Sequence, residues 1–315
     1  MTSTRIRGRF VNPWGRHPMA GLRHLLQWKL GARPAPWPTW VEDPLQPEPP
    51  DPGHAESVIT FINHATLLIR TRTLNLLTDP VFSERTSPVS WAGPRRIRRP
   101  GLDLDRLPPI HGILLSHNHY DHLDATSLRA LQARHRPWIL APLGVGGMLR
   151  SLGMDRVTEL DWWQTVEREG HRITCTPPAQ HFSGRGLFDR NRSLWGGFVV
   201  DGPGPRVYFA GDTGYAPFFH DIRERCGAPD LALLPIGAYA PRWFMSAVHM
   251  DPSEAVRAHL DLGAARSVGI HWGTWQLTDE GLEEPLRELE AARTASGLPP
   301  EAFQVLEHGG SLLLR

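Results

Sequence analysis

Leu115-Ser116-His117-Asn118-His119-Tyr120-Asp121-His122 follows an apolar run at residues 110–115 that is typical of a β-strand. This stretch places three imidazoles and a carboxylate within six residues at the end of that strand. Without a cation these groups would perturb one another's ionisation, whereas a divalent ion binds neutral imidazoles and carboxylates together. A single histidine is usually no more than a hydrogen-bonded polar residue. The crowding of four titratable groups here predicts a metal site.

Three later segments also place a metal-binding side chain at the end of a predicted strand, where loops gather into active sites. They contain His181, Asp212 and His271. Each is weak evidence alone, because an aspartate between glycines is usually a turn residue and a histidine after a strand is usually a polar cap. Together with the first stretch they supply five histidines and two aspartates, which is enough for two metal ions that share a carboxylate.

The order of apolar runs predicts an α/β (α+β) fold. Residues 58–62, 66–69 and 74–78 form consecutive strands, and strands then alternate with helices in two successive halves of the chain. This order predicts a sandwich in which helices cover two packed sheets. Residues 83–109, with the run Arg95-Arg96-Ile97-Arg98-Arg99, are expected to form a long basic loop with a functional role and not a packed element.

Charge and proline content divide the chain into an N-terminal arm, residues 1–53, and a catalytic domain, residues 54–315. Residues 1–40 hold seven Arg or Lys and no Asp or Glu, and residues 33–53 are rich in proline. Trp14, Trp28, Trp37 and Trp40 lie among the positive charges. Two interpretations stay open: the arm contacts an anionic membrane surface, or it wraps around the domain.

Composition also limits location and partners. Apolar runs are too short for a transmembrane helix, and residues 22–30 form at most an amphipathic helix on a surface. Cys175 and Cys226 are expected to be free thiols in a reducing compartment, so we expect a cytoplasmic protein that could be peripheral at the inner face of the membrane. Nucleic acid is not an expected partner, because the body of the chain is mildly acidic.

The ligand order His117-x-His119-x-Asp121-His122, followed by His181, Asp212 and His271, resembles the metallo-β-lactamase fold superfamily. That resemblance implies an αββα sandwich with a dinuclear site, usually zinc, between two mixed sheets. A narrower resemblance, to the N-acylphosphatidylethanolamine-hydrolysing phospholipase D family, covers most of the chain from about residue 10. It is carried by Phe10-Val11-Asn12-Pro13-Trp14, His64-Ala65-Thr66, Leu77-Thr78-Asp79-Pro80, Leu160-Asp161-Trp162-Trp163 and residues 116–124, 209–215, 235–245 and 270–274.

The resemblance implies a role for each ligand. His117, His119 and His181 would bind one Zn2+, Asp121, His122 and His271 a second, and Asp212 would bridge the two. Iron or manganese could take the place of zinc, because imidazole and carboxylate ligands suit them too. A hydroxide held between the two ions is the expected nucleophile. Homodimers occur in the resembled family, so a homodimer is a further expectation.

Further candidates surround the ligands. Asp121 and His249 are the candidate catalytic residues; His249 would protonate the leaving alkoxide or bind the phosphate, or else it only orders its loop. His64 and Asp79 would orient ligating imidazoles, or else cap turns. Tyr239, Trp243 and Phe244 are candidate substrate-binding residues, although such aromatic clusters are often core.

These features predict a phosphodiesterase of the phospholipase D type that acts on N-acylphosphatidylethanolamine or a related glycerophospholipid. Val248 stands where the family is expected to have a glutamine, which makes lipid specificity less secure than hydrolysis. One alternative keeps the metal hydrolase and changes the bond to a lactone, thioester or cyclic phosphodiester. Another is a non-hydrolytic protein, either a diiron redox carrier or an inactive binding module. His119 and the complete ligand set disfavour a non-hydrolytic protein.

Overall fold

The computed structural model describes residues 2–14, 22–44, 48–53, 56–178, 181–186 and 188–314. The predicted boundary between arm and domain lies partly outside the described residues, because residues 54 and 55 are not among them. The arm residues 1, 15–21 and 45–47 also lie outside them.

The described chain forms strands and helices in alternation, numbered here in chain order. The strands are β1 (Thr4–Ile6), β2 (Arg9–Val11), β3 (Ser57–Asn63), β4 (Thr66–Thr71), β5 (Asn75–Thr78), β6 (Gly112–Leu114), β7 (Trp138–Pro142), β8 (Val157–Leu160), β9 (Thr165–Arg168), β10 (His171–Thr176), β11 (Gly197–Gly202), β12 (Gly204–Phe209), β13 (Leu231–Pro235), β14 (Arg266–Ile270), β15 (Phe303–Val305) and β16 (Ser311–Leu314). The helices are α1 (Leu22–Gly31), α2 (Ala125–His135), α3 (Gly146–Ser151), α4 (Phe218–Cys226), α5 (Arg242–Met245), α6 (Pro252–Leu262) and α7 (Glu284–Ala295).

Two seven-stranded mixed sheets form the centre of the fold. The first has the order β16-β3-β4-β5-β6-β7-β8, antiparallel as far as β5 and parallel from β5 to β8. The second has the order β15-β14-β13-β12-β11-β10-β9, with parallel pairs from β12 to β15. Parallel neighbours need crossover connections, and α2, α3, α4, α6 and α7 lie in them. The last strand, β16, pairs with β3 in the first sheet.

Most buried side chains of the described residues pack in three large clusters, and a fourth, smaller cluster includes Trp28 of α1. One lies between the sheets and includes Phe61, Phe198 and Phe209, each fully buried. The second packs helices against the outer side of one sheet and the third does the same for the other. Full burial of such a side chain contributes about 1.5–3 kcal/mol. The predicted sandwich of two mixed sheets flanked by helices is therefore confirmed.

The basic run in residues 83–109 differs from its prediction. The segment is irregular, but it packs against the domain: Arg96 and Arg98 are buried. Arg96 Nε donates to the Ser83 carbonyl at 3.0 Å, and Arg98 Nη1 donates to Asp43 Oδ1 at 2.8 Å. The prediction of an unpacked loop was wrong, because backbone carbonyls and an acid of the arm compensate these charges.

The described part of the arm wraps around the domain. Phe10 is buried, and its backbone N–H donates to the Asn191 carbonyl at 2.7 Å. Trp37 Nε1 donates to the Glu280 carbonyl at 2.9 Å. Membrane contact by the arm stays a prediction. Among the described residues, no helix combines the length and apolar character needed to cross a bilayer.

Candidate metal centre

The predicted ligands lie on loops that follow four strands, one in the first sheet and three in the second. The histidine-rich loop follows β6, and His181, Asp212 and His271 follow β10, β12 and β14. The loop after β12 approaches the histidine-rich loop closely at Gly211, which has φ +61°. A Cβ at Gly211 would lie 2.6 Å from Ser116 Cβ, so a side chain there would push the two loops apart.

His117, His119, His181 and Asp212 form the first ligand group, with one ligand atom of each lying within 4.8 Å of the others. His117 Nε2 is 2.8 Å from His119 Nδ1 and 3.2 Å from His181 Nε2. Asp212 Oδ2 is 3.8 Å from both His117 Nε2 and His181 Nε2. Three imidazoles and one carboxylate therefore lie close enough together to bind one divalent metal ion.

A second ligand group consists of His64, Asp121, His122 and His271. Asp121 Oδ2 is 3.1 Å from His64 Nε2, and 3.5 Å from the Nε2 atoms of both His122 and His271. Asp212 reaches this group too: Oδ2 is 3.2 Å from His122 Nε2 and Oδ1 is 3.1 Å from His271 Nε2. Asp212 thus lies between the two groups, where the resemblance places a bridging carboxylate. His64, expected only to contact ligands, lies among them.

Hydrogen bonds fix which nitrogen two of the imidazoles present to the centre. The buried Asp79 carboxylate accepts hydrogen bonds from the Ser116 backbone N–H at 2.7 Å and the Ser116 hydroxyl at 2.5 Å. It lies 2.6 Å from His122 Nδ1, which must donate to it, and the Ser116 oxygen accepts from His117 Nδ1 at 2.9 Å. Because both Nδ1 atoms carry the proton, the Nε2 lone pairs of His117 and His122 face the centre.

His181 is held in the same way by groups from two other segments. Its Nδ1 lies 3.2 Å from the Val248 carbonyl, which can only accept, so Nε2 is left as the ligand atom. Asn12 of the arm fixes the His181 backbone from both sides. Asn12 Nδ2 donates to the His181 carbonyl and the His181 N–H donates to Asn12 Oδ1, both at 3.0 Å.

Buried polar atoms at the centre have no hydrogen-bond partner within the described chain. They include His122 Nε2, His271 Nε2 and Asp212 Oδ1. His271 Nε2 and Asp212 Oδ1 lie 3.1 Å apart, so both atoms could bind one cation. Buried polar groups without partners are costly, and a divalent ion would satisfy all three. The residues therefore fit a divalent metal.

Ionisation of the cluster points the same way. Burial lowers the pKa of His64 to about 3 and that of His119 to about 4. Both imidazoles are therefore neutral at pH 7 and can donate a lone pair to a metal ion. Burial also opposes ionisation of Asp121 and Asp212, but the imidazoles beside them, that of His122 above all, lower the pKa of both carboxyls well below its usual range. Burial opposes protonation of His271, but the charge of Asp212 raises the pKa of His271 to about 9. Buried carboxylates thus demand positive charge at this point, which a metal supplies.

His249 lies beside the centre, next to the start of α6. Asp251 and Glu254 form the capping box that begins this helix. His249 Nδ1 is 3.9 Å from Asp212 Oδ2 and has no hydrogen-bond partner in the described residues. Burial and the charge of His271 lower the pKa of His249 to about 4. A neutral imidazole with a free polar edge therefore borders the ligands.

A cavity of about 380 Å³ opens directly onto the ligands. His119, Asp121, Asp212 and His249 form its floor, and its walls are mostly apolar. The walls are formed by Leu25, Trp28, Phe182, Arg190, Ala238, Phe244, Met245, Val248, Leu277 and Thr278. Of the three aromatic residues predicted to bind substrate, the structure places Phe244 in this wall.

Tyr239 and Trp243 are not among the lining residues. Tyr239 is buried on the side of Glu288, where burial and this carboxylate raise the pKa of its phenol. Trp243 is 54% exposed and contacts Phe244, with ring centroids 5.5 Å apart. The three aromatic residues lie in or near one short helical turn, so their side chains point in different directions.

Several cavity residues were not predicted from the sequence. Leu25 and Trp28 come from α1 of the arm, and Trp28 Nε1 donates to Asp279 Oδ2 at 2.8 Å. Trp28 also packs on Phe244, with ring centroids 5.0 Å apart. Nothing local to residues 22–31 indicates these contacts, because the partners follow more than 200 residues later. Phe182 could have been suggested by its position next to the candidate ligand His181.

The fold and the ligand cluster define a metal-dependent hydrolase, and comparison with known proteins agrees. Residues 74–272 match the sequence profile of the Beta-lactamase superfamily domain. The isothiocyanate hydrolase from Delia radicum gut bacteria has a similar fold, with a TM-score of 0.66 and 21% identity over 82% of this chain and 99% of that one.

Two relatives are similar at the sequence level. An uncharacterized protein of Mycobacterium tuberculosis is 42% identical over 274 residues, which are 85% of this chain and 73% of that protein. The N-acyl-phosphatidylethanolamine-hydrolyzing phospholipase D 1 of Caenorhabditis elegans is 42% identical over 261 residues, 77% of this chain and 73% of that protein. The chain belongs to the metallo-β-lactamase fold superfamily and, within it, to the N-acylphosphatidylethanolamine-hydrolysing phospholipase D family.

Proposed function

We propose that the protein is a dinuclear zinc phosphodiesterase that hydrolyses N-acylphosphatidylethanolamine or a related glycerophospholipid. It cleaves the bond between phosphorus and the head-group oxygen, releasing phosphatidate and an N-acylethanolamine or related alcohol. The observation that carries this proposal is the apolar cavity that opens directly onto two ligand groups sharing Asp212. The name of the relative from Caenorhabditis elegans supports the same substrate class.

The candidate ligands form two groups, one for each metal ion. His117, His119 and His181 would hold one ion, Asp121, His122 and His271 the other, and Asp212 both. When bound, the metal supplies Lewis acidity toward a phosphoryl oxygen and lowers the pKa of water toward about 7. Asp79 and Ser116 keep the Nε2 lone pairs of His117 and His122 directed inward throughout.

His249 and the cavity walls act on the substrate. The neutral imidazole of His249 can donate a hydrogen bond to the departing head-group oxygen, which becomes more basic as its bond to phosphorus breaks. The apolar walls exclude water and bind an acyl chain. Replacing His249 with Ala should lower kcat by about 10²-fold or more with metal content unchanged. Unchanged turnover at full metal content would remove His249 from the mechanism.

Peripheral contact with the inner face of the membrane fits the position of α1. Leu25 and Trp28 of this helix line the cavity, whereas Leu26 and Leu30 point to solvent with exposed fractions of 51% and 87%. Arg23 and His24 on the same helix are also exposed. We propose that this surface touches the bilayer, so that a lipid can enter the cavity without crossing water.

The decisive experiment measures turnover by metal-quantified protein on four substrates. These are N-acylphosphatidylethanolamine, bis(p-nitrophenyl) phosphate, a homoserine lactone and a β-lactam. We expect hydrolysis of the two phosphodiesters and release of phosphatidate from the lipid. Hydrolysis of only the lactone or the lactam would replace this proposal with a hydrolase of another ester class.

A further inference from the structure

One cavity residue carries a charge that the candidate metal ligands do not explain. Among the described residues that line the cavity, Asp121 and Asp212 belong to the ligand cluster, and Arg190 is the one remaining group with a permanent charge. The rest of the wall is apolar or neutral. Arg190 is half-buried, so an acid beside it or an anion in the cavity would compensate the part of its charge that solvent does not reach.

The side chain of Arg190 has no acidic partner among the described residues. Its Nε is buried and has no hydrogen-bond partner within the described chain, and no described carboxylate forms an ion pair with it. Burial and the nearby charge of Arg9 lower the pKa of Arg190, although a guanidinium stays charged at neutral pH. Arg9 donates to the Arg190 backbone carbonyl, so it adds positive charge without compensating any.

Phe182 links this guanidinium to the metal centre. The central carbon of the Arg190 guanidinium lies 4.7 Å from the centroid of the Phe182 ring. The same ring contacts the candidate ligands His119 and His181, with centroid distances of 4.6 Å and 5.2 Å. Arg190 is therefore one aromatic ring away from the ligands. It lies within reach of a group esterified to a phosphate held there.

We propose that Arg190 selects substrates by charge, admitting phosphodiesters with neutral or anionic ester groups and excluding those with a cationic head group. This inference rests on the proposed phosphodiesterase function and adds a specificity-determining residue to it. Phosphatidylcholine and unmodified phosphatidylethanolamine carry a quaternary or primary ammonium near the phosphate. N-acylation converts the amine into a neutral amide, which removes the repulsion from Arg190.

Two water-soluble substrates isolate this effect. Ethyl p-nitrophenyl phosphate and p-nitrophenyl phosphocholine release the same p-nitrophenol when water cleaves the aryl ester bond, and the other product is ethyl phosphate or phosphocholine. Their remaining ester groups differ in charge. We expect the wild-type protein to prefer the ethyl ester in kcat/KM by roughly tenfold, the effect of two like charges about 10 Å apart at an effective dielectric constant of about 20.

Variants of Arg190 separate charge from shape. Arg190→Gln should abolish most of the preference, Arg190→Glu should reverse it, and Arg190→Lys should retain it. Arg192→Gln is the matched control, because Arg192 is exposed on the same loop and loses the same charge outside the cavity wall. A preference that is the same in Arg190→Gln and in the wild type would overturn the inference.

A binding measurement distinguishes failure of this inference from failure of the proposed function. Calorimetric titration with dodecyl phosphate and with dodecylphosphocholine should show tighter binding of the phosphate by wild type and a smaller difference for Arg190→Gln. If this holds while no phosphodiester is hydrolysed, charge selection stands and the phosphodiesterase proposal fails. Equal discrimination by the two proteins overturns charge selection, whatever the hydrolysis result.

Discussion

At the scale of single residues, three residues of the centre have positive φ angles, which residues other than glycine rarely adopt. His64, Asp79 and His271 have φ values of 47°, 33° and 63°. Such conformations cost of order 1–3 kcal/mol each and persist where the surrounding structure holds them. All three side chains reach the ligand cluster. Part of the backbone strain of the described chain therefore lies where it positions imidazoles and the carboxylate that orients them.

Asp79→Asn should weaken metal binding about 10–100-fold, the usual effect of losing a group that orients a ligand. Asp79 accepts three hydrogen bonds, from the Ser116 N–H, the Ser116 hydroxyl and His122 Nδ1. An amide has one oxygen acceptor, so at least one of the donors loses its partner. Competition titration against a chromophoric chelator measures the change. Wild-type affinity in a correctly folded variant would contradict this role.

Asn12→Ala should reduce occupancy of the group that contains His181, because it removes both hydrogen bonds that fix the His181 backbone. Each bond contributes about 1 kcal/mol to keeping this loop in place. Metal content per chain, measured by mass spectrometry after dialysis, checks the prediction. Asn75→Ala is a suitable control, since Asn75 Nδ2 also donates to a backbone carbonyl, that of Pro109, outside the centre. Equal metal content in both variants would argue against a positioning role for Asn12.

At the scale of elements, long apolar runs were predictable and edge elements were not. The predicted strand at residues 58–62 corresponds to β3, which is buried on both faces. β8 and β9 were missed because each is an edge strand with little apolar content: Thr165–Arg168 is exposed at alternate residues. Hydrophobic periodicity needs several apolar residues in succession, so a four-residue strand with only one or two of them leaves a weak signal.

The same limit explains which parts of the site were predictable. The candidate ligands stand out because imidazoles and carboxylates cluster at strand ends along the sequence, as His117 and His119 do. Leu25 and Trp28 reach the cavity through contacts between segments far apart in the chain, such as Trp28 with Asp279. A single sequence carries no local trace of such packing. The charge on Arg190, which has no acidic partner among the described residues, was not predictable from the sequence either.

Helix α1 gives a prediction for membrane contact. Leu26→Gln with Leu30→Gln should reduce binding to anionic phospholipid vesicles at least tenfold, because burying each leucine in lipid contributes about 1.5–3 kcal/mol. Turnover of bis(p-nitrophenyl) phosphate should stay unchanged, since neither residue lines the cavity. Vesicle sedimentation gives the bound fraction. Leu313→Gln, on the exposed face of β16, is the matched control, and equal binding by both proteins would contradict a role for α1.

At the scale of the whole molecule, the candidate ligands connect the two sheets. The histidine-rich loop extends the first sheet after β6, and Asp212 and His271 extend the second after β12 and β14. Buried carboxylates at this junction repel each other unless a cation lies between them. A bound divalent metal therefore acts as a crosslink between the sheets as well as a Lewis acid.

Metal removal should accordingly lower the thermal stability of the protein. At about 1,000-fold excess of free metal over its dissociation constant, binding contributes about 4 kcal/mol to the free energy of unfolding. This corresponds to a decrease in Tm of roughly 5–15 °C on chelation, measured by scanning calorimetry. His271→Ala removes a ligand of the second sheet, so its Tm should respond less to the chelator than that of wild type. A wild-type Tm that chelation leaves unchanged would show that the sheets are held together without the metal.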